Sequence, residues 1–94
     1  MELSERWLQK FEEEGFTSIY EWEDRAGTVY ESHVHKGKVS LFVTDGSIIF
    51  DFKGLKKEVK AGERLDVLVG VCHSAIVGPH GWRVVVGEEI EGDS

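Results

Sequence analysis

The sequence predicts an all-β domain, a sandwich or barrel of about eight short strands, entered through one helix. Three observations lead there. After Gly15 the chain is a series of short runs rich in β-branched and aromatic residues: FTSIYEW, TVYESHVH, VSLFV, SIIFDF, KKEV, RLDVLV, HSAIV and WRVVV. Turn signals separate them, namely DRAG, KGK, TDG, KGL, AGE and GPHG. Only the first fifteen residues carry a helical period.

In that first segment Trp7, Leu8 and Phe11 form one apolar stripe. Ser4 is the expected N-cap, with Leu3 and Leu8 as a hydrophobic staple, and Gly15 is the expected stop. Glu12, Glu13 and Glu14 oppose the helix dipole, so this helix depends on packing. The strands should span residues 16–88. TDG between VSLFV and SIIFDF suggests a tight hairpin, and GPHG, with His80, reads as a turn. The acidic stretch 89–94 is expected to be a flexible tail.

Ninety-four residues fit one domain. The single cysteine, Cys72, leaves no intrachain disulfide framework. With no apolar run near the ~20 residues of a membrane span and no signal-peptide core, the expectation is a cytoplasmic protein without membrane partners. A net charge of -7 argues against nucleic acid. Charged residues make up 31% of the chain and Asn is missing altogether, a balance that leans toward heat tolerance. Long apolar strands such as SIIF and WRVVV would leave edges to cover, so a homodimer is expected.

The chemistry gathers around the histidines. His33 and His35 are two apart, so on a regular strand both imidazoles share a face, and Glu31 has the same parity. His73 follows a glycine turn at Gly70 and is a reasonable third ligand. Three neutral imidazoles can hold a divalent first-row metal and leave positions open. Cys72 should point away from His73. Tyr20, Trp22, Tyr30 and Trp82 are read as packing residues, one or two of which could line a barrel mouth.

The spacing of these residues resembles the cupin family. Its first motif, G-x5-H-x-H-x3-E-x6-G, is met by Gly27, His33, His35 and Gly46, with Val39 at the glutamate. Its second, G-x5-P-x-G-x2-H-x3-N, is met by Gly62, Gly70 and His73, with Leu68 at the proline and Val77 at the asparagine. The resemblance implies a double-stranded β-helix, a jelly-roll barrel open at one end. It carries over His33, His35 and His73 as ligands of a divalent metal, which cupins take as Fe, Mn, Ni or Zn. It brings no carboxylate. Some cupins use three histidines alone, as the cysteine dioxygenase type does, and others bind small molecules without metal.

Two functions follow from this reading. One is a small metal-binding cupin that binds or acts on a small molecule, with Glu31 and Tyr30 as ligand-binding candidates. If it is an enzyme, the chemistry would be dioxygenase- or isomerase-like. The other is a metal-free module that binds a sugar or effector.

Overall fold

The computed structural model describes residues 2–67 and 69–89. Leu68, at the motif proline, and residues 90–94 of the expected tail lie outside the described residues.

Helix α1 spans Leu3–Glu13. It begins earlier than predicted. Arg6 N–H reaches the Glu2 carbonyl (3.1 Å), so Glu2 is the N-cap and Ser4 lies inside the helix. Leu3 is exposed as the first helical residue, and the predicted Ser4 cap and Leu3 staple give way to this earlier start. The C-terminus follows expectation. Gly15, at φ +92°, donates to Glu12 O, and Phe16 N–H donates to Phe11 O. That paired closure satisfies two helix-end carbonyls and brings the Phe16 ring edge-on to Phe11, 5.4 Å between centroids.

Six strands follow among the described residues: β1 Ser18–Asp24, β2 Val29–His33, β3 Val39–Phe52, β4 Leu55–Lys60, β5 Arg64–Val67 and β6 His73–Glu88. All pairings are antiparallel. Two of these strands were expected as four. TDG is not a hairpin and GPHG is not a loop, because β3 and β6 each run straight through the turn signal. Both strands bend there instead. The β3–β6 register shifts between Val43 and Asp45 and again between Gly46 and Ile48. Gly46 (φ +72°) faces Gly81 (φ +75°), and a Cβ on Gly46 would lie 1.9 Å from the Gly81 carbonyl oxygen. Paired glycines let the two backbones cross at contact distance, and bulges bend strands without ending them.

The bend divides the molecule into two four-stranded halves. In one, the first half of β3 lies between β5 and the second half of β6, which in turn pairs with β1. In the other, the second half of β3 lies between β4 and the first half of β6, which pairs with β2. A single apolar core joins the halves, with Val39, Leu41 and Val43 from one meeting Ile48, Phe50 and Val77 from the other. Because β6 folds back at its midpoint, its two ends, His73 and Glu88, return to the same cavity.

Candidate metal centre

A cavity of about 390 Å³ opens between the halves. Its walls are mostly aliphatic and aromatic, including Val39, Leu41, Phe50 and Val84. His33, His35 and His73 line it together.

Each histidine arrives by a separate local device. His33 and His73 are cross-strand partners of β2 and β6, so their rings leave the sheet on one face, with centroids 4.6 Å apart. His35 lies just past β2, and Gly70 N–H donates to its carbonyl (3.1 Å), tying it to the turn that leads into His73. The candidate ligand atoms of all three lie within 4.8 Å of one another. Metal–nitrogen bonds of about 2.0–2.1 Å in a tetrahedron would set them roughly 3.4 Å apart. The Nε2 atoms of His33 and His35 already stand at 3.3 Å, so the set closes by small ring rotations.

The hydrogen bonds suit ligation. His33 Nδ1 faces the Glu31 carbonyl at 2.7 Å and His73 Nδ1 faces the Val71 carbonyl at 3.2 Å. A carbonyl only accepts, so in both rings the proton sits on Nδ1 and the Nε2 lone pair is left for a metal. His35 is held below the ordinary histidine range, first by burial and then by repulsion from His33 and His73, against a pull upward from Glu88. A neutral imidazole is the ligating form. His73 is buried, in ring contact with Phe50 and Phe52.

The other predicted residues divide. Val39 lines the cavity, at the position where the motif has its acid. Tyr30 also lines it, while Glu31 is exposed and outside it. The cause is an irregularity in the β2–β6 register between Tyr30 and His33. It puts two residues three apart on the cavity side and turns Glu31 outward, against the parity expected of a regular strand. Cys72 is not in the lining.

Sequence reasoning missed the acids that organise the far wall. Asp24 Oδ2 accepts the Tyr30 hydroxyl, Trp82 Nε1 (2.8 Å) and Trp22 Nε1 (3.1 Å). Burial, and then the bond to Asp24, push the Tyr30 phenol up to about 12. Glu88 lines the cavity and accepts the Tyr20 hydroxyl. Burial and Glu88 together hold the Tyr20 phenol well above its usual range. All four aromatics suspected of packing line the cavity. The acids gave no signal in the sequence because both sit at strand ends amid other acids.

No family model matches this sequence, and no curated protein does. Solved structures do match, 117 chains of them. An RmlC-like cupin from Shewanella frigidimarina NCIMB 400 superimposes with a TM-score of 0.66 at 21% identity, over 80% of this chain and 68% of that one. The fold is the cupin double-stranded β-helix. An uncharacterised protein with a double-stranded β-helix domain from Klebsiella pneumoniae gives 0.68 at 24% identity, over 81% of this chain and 69% of that one. The polyketide cyclase RemF from Streptomyces resistomycificus gives 0.65 at 26% identity, over 74% of this chain and 52% of that one. Within this fold the three histidines share one cavity with a mostly apolar lining. Among the described residues, no helix is long and apolar enough to cross a membrane.

Proposed function

We propose that this chain is a small metal-binding cupin that binds or acts on a compact, largely apolar molecule in its barrel. One observation carries the reading: three imidazoles converge in the lining of the cavity, two of them with Nδ1 tied to backbone carbonyls. His33, His35 and His73 would hold a first-row divalent ion such as Fe, Mn, Ni or Zn. When bound, the ion supplies Lewis acidity and a positive charge that favours an oxygen or thiolate donor on the ligand. The chain's own residues shape the rest. Phe50, Trp82 and the valines exclude water from the ligand's apolar body. Tyr20, Tyr30, Trp22 and Trp82 already spend their polar atoms on Glu88 and Asp24. A sugar, which needs many polar partners, is therefore a poorer fit than an apolar ligand bearing one donor group.

A homodimer belongs to the same proposal. Strand β1 ends the main sheet path, and Trp22 on it is half exposed; an edge of this kind is one that a second copy could cover.

The test is thermal melting of tag-free protein with and without Mn²⁺ or Zn²⁺. Wild type should be stabilised by about 2.7 kcal/mol at a free metal concentration of 100 Kd. His73→Ala should lose that response. Wild-type melting that neither ion moves would overturn the reading and leave a metal-free binding module.

A further inference from the structure

The motif acid is absent at Val39, and a carboxylate stands directly across from it. Val39 and Glu88 are register partners of β3 and β6. Directly opposed residues on neighbouring antiparallel strands share a face, with Cβ atoms about 4.5–5.5 Å apart. Both side chains line the histidine cavity, and Glu88 is the single carboxylate to do so among the described residues.

The backbone ties the end of β6 to the segment that carries the second histidine. Glu89 N–H donates to the Lys38 carbonyl at 2.8 Å, which clamps the end of β6 to the segment that follows His35. At Gly37 the two backbones touch: a Cβ there would lie 1.8 Å from the Glu89 carbonyl oxygen. Tyr20 donates to Oε1 of Glu88, and the carboxylate lies outside the three-histidine group. A carboxylate has about four acceptor sites, so one hydroxyl does not saturate it.

We propose that Glu88 replaces the missing motif glutamate, joining His33, His35 and His73 as the carboxylate of the metal centre by swinging off Tyr20 from the neighbouring strand. The proposal rests on the three-histidine reading above. It makes the site a three-nitrogen, one-oxygen set in which the carboxylate offsets part of the +2 charge. Tyr20 becomes the group that holds the acid at the cavity wall until the ion is present.

The experiment is calorimetric titration of metal-stripped, tag-free protein with Mn²⁺ and, separately, Zn²⁺. Three proteins are compared: wild type, Glu88→Gln, and Glu88→Gln combined with Val39→Glu. Carboxylate oxygen suits Mn²⁺, while imidazole suffices for Zn²⁺. Glu88→Gln should weaken Mn²⁺ binding by about 10- to 100-fold, the range seen when a group supporting a metal site is removed. Zn²⁺ should weaken less. Val39→Glu should restore Mn²⁺ affinity, since it returns a carboxylate to the opposite strand at the same level. Unchanged Mn²⁺ affinity in Glu88→Gln would overturn the proposal and leave the three-histidine centre standing. An equal loss for both ions without rescue would assign Glu88 a structural role and overturn it too. A wild type that binds neither ion would remove the three-histidine centre and this proposal with it.

Discussion

Strands β3 and β6 have two faces, and the protein treats them in opposite ways. Val39, Leu41 and Val43 of β3, with Val84 and Val86 of β6, turn inward to the shared core, and all but Val43 line the cavity. The alternate residues Phe42 and Val85 turn outward and are covered by helix α1. Beneath the helix that outer face is closely packed. Trp7 stacks on Phe42 at 4.1 Å and meets Phe11 edge-on at 5.5 Å. Phe11 is fully buried. Arg64 lies over both Trp7 and Phe11, pairs with Glu14 through two nitrogens, and bonds Asp66, which also takes the Ser40 hydroxyl at 2.6 Å. The inner face keeps an open chamber and three imidazoles close together. The helix-covered patch is filled, and Arg64, Glu14, Asp66 and Ser40 on it are paired. The cavity side leaves apolar wall unfilled and spends its polar groups on a site. An open cavity forfeits contacts that a filled core would make, so the helix side should carry the stability that the cavity side gives up.

Substitutions at three positions would break or sharpen that contrast. The largest effect belongs to Phe11→Ala. It removes a fully buried ring at the junction of helix and sheet and should cost about 3–5 kcal/mol in denaturant unfolding. Metal affinity of the folded fraction should stay as in wild type. A loss of only a few tenths would mean that the outer face is not the stabilising one.

Next is Asp24→Ala. It strips one acceptor from Tyr30, Trp22 and Trp82 together and should cost about 1–3 kcal/mol. Asp24→Asn, which keeps an acceptor oxygen, should recover much of that. Equal losses in the two variants would show that the carboxylate's charge, rather than its acceptor geometry, holds the wall.

The smallest effect concerns acid. Arg64 holds Glu14 below its ordinary 4.5, chiefly by hydrogen bonding. Asp66 lies below its ordinary 3.8, chiefly through Ser40 and then Arg64. A carboxylate whose folded pKa is depressed contributes stability that is present above the unfolded value and lost as pH falls through the folded one. Wild type should therefore lose, below about pH 4.5, the part of this stability that depends on Arg64, which Arg64→Met lacks while keeping the Ser40–Asp66 bond. Partial exposure limits the difference to about 0.2–1 kcal/mol. Parallel melting curves for the two proteins from pH 7 to pH 3 would count against a role for this network.

Much of this was legible in the chain, and the remainder has a physical reason for being hidden. Trp7, Leu8 and Phe11 announced a helix, and Gly15 marked its end through a conformation that glycine adopts freely. The alternating runs announced an all-β fold, and the spacing of His33, His35 and His73 picked out residues that the fold does bring together. Local patterns such as these depend on neighbours a few positions away, so a sequence displays them. Tertiary structure decided the rest. TDG and GPHG look like turns until Gly46 and Gly81 meet across two strands and each bend becomes the condition for the other. Glu31 shares the histidines' parity, but an irregularity in the β2–β6 pairing turns it to solvent. Glu88 lies 49 positions beyond Val39 and becomes its neighbour only when β6 pairs with β3. The sequence by itself determined which residues could form helix, strand and ligand. Which acid lines the cavity with the histidines depends on the pairing of distant strands, and no local pattern encodes that.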